Sequence, residues 1–508
     1  MSLHWKKRLE YRLLRWQARF ESTVFDRSFP WVAATFLWTL FILLALAKSR
    51  ELSQDSELAS VMQSVWLIGE GYTPESSLFG QNYLASQGGF LIYPIAILTS
   101  FLPTAITLIT IQSAALAFAI VPLWRLSRDV ANLRTGTSTV IMTVYGLYSA
   151  VHTLNLAGFH LESLAIPALL SAVYCAFTDK KYKYWALVAL ALVTRSDLGL
   201  LIAGLGALWV LEGKKKLGYQ TLAVGFSWST IFILGIQPMY NGGVFPHVDS
   251  FSKYGSGNPF SVLWGLVIHP VSFATELFSE ANFDVAVSLL APVLFLPIVA
   301  PRYLMPCLPV FALYLTADVP PGEFAEAGQR VPVTVCMFIA LIFAIQKTGR
   351  VIVQRVNVDR TVLGALLITA AVFFVANSAT SPYEDPWAWG RRQPVDVARL
   401  EVAELIPDDA VVRAAPKMLP LLTERIALWE FELPDKYDDR LGTEAVRNVN
   451  WFIFDRTEVP IGWTGVDILD FQADLRISQR FVRVYDNSGI EAYATPQAAA
   501  SLGLEPVN

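Results

Sequence analysis

The chain has 508 residues, of which 54% are hydrophobic and only 16% charged, and its mean hydropathy is +0.44. A soluble domain is about half apolar and a quarter charged, so water is not the main solvent of this chain. The formal net charge of −4 is unevenly spread. Basic residues gather at the N-terminus and in short connections and carboxylates in the longer ones, which sets membrane topology and argues against nucleic-acid binding.

Residues 1–24 carry Lys6, Lys7, Arg8, Arg12, Arg15 and Arg19, with Leu9, Leu13, Trp16 and Phe20 at helical spacing. This predicts a basic amphipathic helix on the inner leaflet. The run Trp31 to Ala47 is too long for the apolar core of a typical signal peptide, lacks a clear small-residue cleavage site, and is the first span of the membrane domain, 25–380. Further apolar segments fall at 104–124, 135–151, 161–178, 182–195, 197–211, 217–238, 284–300, 302–317, 331–347 and 361–379. Cys175, Cys307 and Cys336 lie inside such runs, where a thiol behaves as a small hydrophobe.

Lysine and arginine clusters at 125–134, 180–183, 214–216 and 347–360 separate these segments. About eleven crossings place every cluster on the cytoplasmic side. The segment 90–102, which ends at Pro103, is then expected to re-enter the membrane or lie at its surface. The loops 49–89 and 239–283, the turn 152–160, the corner 195–197, the loop 318–330 and the tail become extracytoplasmic, and the N-terminus cytoplasmic. In the tail, 381–508, a helix pattern at 394–405 precedes strand-length runs at Ala410–Ala414, Ile426–Trp429, Trp451–Asp455 and Phe481–Tyr485. The expected architecture is an α-helical polytopic membrane protein with a small soluble C-terminal α/β domain.

The candidate chemistry gathers in the outer segments. Asp55 and Glu57 stand at the start of a surface helix marked by Leu58, Val61, Met62, Val65 and Trp66. Carboxylates at a helix start are explained by capping, or one of them is a general base that takes a proton from a hydroxyl. His160 and Glu162 form an ionisable pair at the lip of a span, where burial is costly. Arg195 and Asp197 form a cation–anion corner, either a self-satisfied ion pair or a phosphate-binding fork. Tyr240, His247, Asp249, Lys253 and Tyr254 lie in a Gly-rich loop able to close over such a site. No cofactor is demanded by these residues. A divalent metal ion is a candidate, with Glu57, Asp197, His247 and Asp249 as the outer-side ligands beside His160 and Glu162. There is no Walker loop, no dinucleotide-binding Gly motif and no nucleophile elbow, which argues against ATP-driven transport within this chain.

Several of these stretches resemble an uncharacterised prokaryotic membrane family, domain of unknown function two thousand and seventy-nine. Glu57-Leu58-Ala59 with Gln63-Ser64-Val65-Trp66 is similar to its Asp-Leu-Gly…Asp-Gln-x-x-Trp signature. Phe159-His160-Leu161-Glu162-Ser163-Leu164-Ala165-Ile166-Pro167 is similar to its Phe-His-Pro-Glu-x-x-Ala-x-Pro block, and Arg195-Ser196-Asp197-Leu198-Gly199 falls at its Lys-Glu-Asp-x-Gly. Ile406-Pro407-Asp408-Asp409-Ala410-Val411 and Leu419-Pro420-Leu421-Leu422 extend the likeness into the tail. Departures are Met62 at the second acidic position, Gln87-Gly88-Gly89-Phe90 at the His-Phe-Ser-Pro stretch, Ser196 before Asp197, and Gln329-Arg330 at a His-Tyr pair.

That family resembles the GT-C superfamily of glycosyltransferases, which take sugars from polyprenyl-phosphate carriers and use an acidic residue of the first outer loop. The resemblance implies a GT-C-like membrane fold and an inverting transfer of sugar to a cell-envelope glycan, lipid or protein in the plasma membrane. Glu57 would be the base with Asp55 in reserve, and His160, Glu162, Arg195, Asp197, His247 and Asp249 would bind substrate. The competing expectations are a transporter or flippase for a lipid-linked or polar substrate, and a catalytically degenerate membrane scaffold. Charges gathered at one face, without clear inverted repeats, favour the interfacial enzyme.

Overall fold

The computed structural model describes residues 22–52, 56–317, 327–352, 355–381, 389–431, 449–460, 462–477 and 480–507. The basic N-terminal segment therefore lies outside the described residues, as does most of the loop 318–330.

Helix α1, Thr23–Arg50, begins where the Ser22 hydroxyl accepts from the Phe25 amide, with Asp26 in its first turn and Lys48 and Arg50 in its last. This order of charges suits the helix dipole. Asp26 also takes a two-pronged grip from Arg128, at 2.7 Å on each oxygen, which ties α1 to the later helix that carries Arg128. Helix α2, Ser56–Gly69, follows. A short ribbon of β1 (Glu75–Ser76) and β2 (Gln81–Asn82) leads to α3, Ile92–Thr99. At eight residues, α3 is about 12 Å long and too short to cross a bilayer.

The membrane domain continues with α4 (Thr104–Val130), α5 (Thr135–Gly146), α6 (Ser149–Leu156), α7 (Ala165–Phe177), α8 (Lys181–Leu192), α9 (Leu198–Leu211) and α10 (Lys215–Met239). After these come α11 (Pro259–Ile268), α12 (Pro270–Leu277), α13 (Glu280–Leu290), α14 (Leu308–Leu315), α15 (Arg330–Thr348) and α16 (Arg360–Asn377). Strands β3 (Arg350–Ile352) and β4 (Arg355–Asn357) form a hairpin between the last two helices.

Among the described residues, α1, α4, α10, α15 with its preceding turn, and α16 are long and apolar enough to cross a membrane, and α11 with α12, bent by 91°, makes a sixth candidate. The sequence-based segments do not all fold as single spans. The run 135–151 breaks between α5 and α6. Residues 291–307 fold as successive 3-10 turns because Pro292, Pro297, Pro301 and Pro306 cannot donate to a helix and clash with its preceding turn. Helix α15 is buried on every side from Val331 to Ile345 and forms the axis of the main apolar core. Helices α1, α10 and α16 expose Phe36, Leu43, Phe226, Ile231, Ile368 and Val372 as an apolar outer surface, as expected against lipid.

The tail is an α/β unit. Helix α17, Pro394–Leu405, precedes a five-stranded sheet ordered β6-β5-β7-β9-β8, formed by Leu428–Glu430, Val412–Ala414, Trp451–Asp455, Ile490–Ala494 and Val482–Asn487. β5 runs parallel to β6 and β7, whereas β9 is antiparallel to β7 and β8. Alternation along β7 sends Trp451 and Ile453 into a core with α17 and α19 (Pro496–Ser501), and Phe452 and Phe454 into one with α18 (Gly465–Ile477). A strand covered on both faces reads as a continuous apolar run, which is why it was visible in the sequence.

Helix α2 is shared between the two parts. Leu58, Val61, Met62 and Val65 pack against α3, Leu108, Phe159 and Leu161. Ala59 instead enters the core of the tail. The Gln63 amide donates to the Arg425 carbonyl at 3.0 Å and to Ser77 Oγ at 2.9 Å, and Ser77 Oγ donates to the Leu428 carbonyl at 2.5 Å. Apolar burial gives such a seam its strength, and these bonds fix its register.

Candidate active site

Glu57 sits in the first turn of α2, and its Oε1 stands 3.4 Å from His160 Nδ1. The same nitrogen lies 3.9 Å from Glu162 Oε1. That oxygen receives Arg195 Nη1 at 2.7 Å, and Arg195 Nε lies 3.2 Å from Asp197 Oδ2. The Tyr314 hydroxyl donates to Asp197 Oδ2 as well, while Asp197 Oδ1 is buried with no hydrogen-bond partner among the described residues. Four segments far apart in sequence thus supply one continuous chain of ionisable groups.

Local structure fixes each member. The His160 amide donates to Gln112 Oε1 at 2.6 Å, and the Gln112 amide donates to the Leu154 and Gly158 carbonyls at 2.5 and 2.7 Å. His160 Nε2 is 3.1 Å from the Ala157 carbonyl. A carbonyl only accepts, so Nε2 carries a hydrogen and Nδ1 faces the two carboxylates. Arg195 and Asp197 occupy the corner between α8 and α9, and the Ser196 amide donates to the Gln87 carbonyl at 3.3 Å. Gly89 lets the first outer loop lie directly on Leu161 and the Thr194 carbonyl, where any Cβ would collide. Gly328 likewise stands against Glu162 and Arg195, and a Cβ there would overlap the carboxylate.

Burial opposes the charge on Arg195, but Asp197, then Tyr314 and Glu162, outweigh it and hold the guanidinium well above its ordinary pKa. His247 joins the far side of the cluster, with Nε2 donating to the Ser86 carbonyl at 2.9 Å. Burial pushes its pKa down, and Arg195 adds to this against the opposing effects of Ser86 and Asp197. Tyr83 and Tyr314 belong to the cluster although sequence reasoning passed over both. Burial, then Glu162 and Glu57, drives the Tyr83 phenol far upward, so it stays an O–H donor. Neither tyrosine lies in a motif with a chemical signature, so only the fold reveals them.

The structure brings together Glu57, His160, Glu162, Arg195, Asp197 and His247. Asp55 and the Asp249 side chain lie outside the described residues. Lys253 turns away to Glu276, at 2.8 Å. Among the described residues, no group of three or more His, Cys, Asp or Glu has a metal-holding arrangement. Helices α8 and α9 carry the Arg195 corner at one end and Lys181 and Lys214 at the other, so the site and these basic clusters occupy opposite ends of the same pair.

Comparison with solved structures shows what the fold is like, a GT-C-like membrane fold. ArnT from Cupriavidus metallidurans bound to undecaprenyl phosphate superposes with a TM-score of 0.52 at 11% identity, covering 96% of this chain and all of that one. Its apo form gives 0.49 at 13% identity over 94% of this chain and all of that one. The Archaeoglobus fulgidus oligosaccharyltransferase gives 0.41 at 12% identity over 89% of this chain and 73% of that one. No curated protein matches by sequence. The family model described as predicted membrane protein (DUF2079) matches residues 50–484, and the chain belongs to that family.

Proposed function

We propose that this chain is an inverting glycosyltransferase that moves a sugar from a polyprenyl-phosphate donor to a hydroxyl-bearing acceptor at the extracytoplasmic face of the plasma membrane. The observation that carries the reading is the line Glu57–His160–Glu162–Arg195–Asp197 at the head of α2, the helix held between the membrane part and the tail. The fold shared with an undecaprenyl-phosphate-bound protein supports the donor class. The basic ends of α8 and α9 support the orientation, with the site outside.

In this reading Glu57 accepts the acceptor hydroxyl's proton as its oxygen attacks the anomeric carbon. The sugar–phosphate bond breaks from the opposite face, and the phosphate leaves with the electron pair. His160 steadies the charge change on Glu57, and Glu162, Asp197, His247 and Asp249 shape the sugar subsite. Arg195 keeps Nη2, which donates to no described residue, for the departing phosphate. The tail supplies the acceptor side, since Glu430 at the end of β6 lies beside Ser56, the neighbour of the proposed base. Lys417 and Glu458, 3.7 Å apart, follow the ends of β5 and β7. Ligands of open α/β sheets sit at such strand ends.

The test is sugar transfer by purified full-length protein, with polyprenyl-phosphate sugars as donors and cell-envelope glycans, lipids and proteins as acceptors. Transfer that disappears in Glu57→Gln with Asp55→Asn supports the assignment. Full activity in that double variant rejects the base, and substrate movement across proteoliposomes without transfer rejects the enzyme.

A further inference from the structure

At the opposite end of α8 and α9 the chain forms a cavity of about 370 Å³, bordered by Lys181, Lys214, Lys215 and Lys216 over a floor that includes Tyr184 and Leu217. Its carboxylate, Asp179, is taken by Lys214 at 2.6 Å. The neighbouring Glu212 is engaged by the Tyr303 hydroxyl at 2.9 Å and by Arg302 at 3.3 Å. The floor is satisfied internally, because Tyr184 accepts from Trp209 at 3.0 Å and shares a hydrogen bond with Thr221 at 2.8 Å. Lys215 and Lys216 form no ion pair with a carboxylate among the described residues, and Lys181 acts on Asp179 only from beyond ion-pair distance.

Topology alone calls for lysines at this membrane face but does not require them to ring a cavity. Two further features fix its depth. Tyr182 and Tyr219 stand 94% and 62% exposed beside the lysines, as aromatic side chains do at headgroup level. Leu190, Leu211 and Val224 are exposed along the helices that border the cavity and give them an apolar outer surface. A cationic cavity on helices with an apolar outer surface is complementary to a phosphate joined to acyl chains.

We infer that this cavity binds the phosphate headgroup of an anionic phospholipid in the leaflet opposite the Glu57 site, with Lys181, Lys215 and Lys216 as its ligands. The inference does not depend on the proposed transferase activity. Native mass spectrometry of the full-length protein, with phosphatidylglycerol and phosphatidylcholine added in parallel, reads it directly. The expected result is a preference of roughly tenfold or more for phosphatidylglycerol. It should be lost in Lys181→Gln/Lys215→Gln/Lys216→Gln and kept in the matching arginine triple. Leu217→Trp retains every charge but narrows the cavity, and it too should lose the preference. Equal binding of both lipids by the unaltered protein overturns the inference, as does a preference that survives Leu217→Trp, which would make the lysines a diffuse surface charge. Inorganic phosphate that binds alone and displaces the lipid would replace it with a soluble anion.

Discussion

Two arginines in this molecule are each held by two carboxylates, and they have opposite characters. Arg399 in the tail donates to Asp396 at 2.7 Å, to Asp455 at 2.8 and 2.5 Å and to Thr457 at 3.0 Å. The remaining oxygens of Asp396 and Asp455 accept from the Gln393 and Thr457 amides. Every group is used, and the Arg399 and Asp455 side chains are 4% and 0% exposed. Arg195 is gripped in the same way, but its carboxylates lead on to His160 and to a Glu57 side chain that is 36% exposed, and Asp197 Oδ1 is left over. A closed network locks a fold, whereas an open one retains groups for something that arrives from outside.

The largest effect that sharpens this contrast is on chemistry. Glu57→Gln should lower sugar transfer by about 10²–10⁴-fold while the tail keeps its resistance to proteolysis, measured on the same preparations. Arg399→Ala should do the reverse, destabilising the tail by about 3–5 kcal/mol because two buried carboxylates lose their cation. Denaturant-dependent proteolysis reads that loss, and a silent Arg399→Ala would break the comparison. Gln63→Ala should loosen the seam between α2 and the tail by about 1–3 kcal/mol, leaving buried carbonyls without donors. Hydrogen exchange in β6 would report it.

The smallest effect is pH-dependent. His247 has a folded pKa below its unfolded value of 6.5, so the unfolded chain binds the proton more readily. Its contribution is complete above pH 6.5 and is lost as pH falls through the folded value. The melting temperature of His247→Gln should therefore vary less over that acidic window than that of the unaltered protein. Identical slopes would show that the ring is not held neutral in the open site.

Much of this architecture could be read from the sequence where the signal was local. The helix at 394–405 and the strand Trp451–Asp455 emerged from periodicity, because each is set by what its own side chains bury. The run 302–317 misled because hydropathy outweighed the spacing of Pro301 and Pro306, and the chain follows the prolines. At the site, charge at a membrane lip pointed to Glu57, His160, Glu162, Arg195 and Asp197 one by one. Their order in space was invisible, since Glu57 meets His160 only through the packing of α2 on Phe159 and Leu161. Tyr83, Tyr314 and the close approach of Gly328 depend on contacts between distant segments and leave no pattern in a single chain.

The seating of Ala59 and Gln63 against the last part of the polypeptide has a bearing on timing. The membrane helices are synthesised first, yet the helix that presents Glu57 gains its second flank, at Ala59 and Gln63, only when the tail has emerged and folded. A chain that stops before the tail therefore holds Glu57 on a helix with one flank bare.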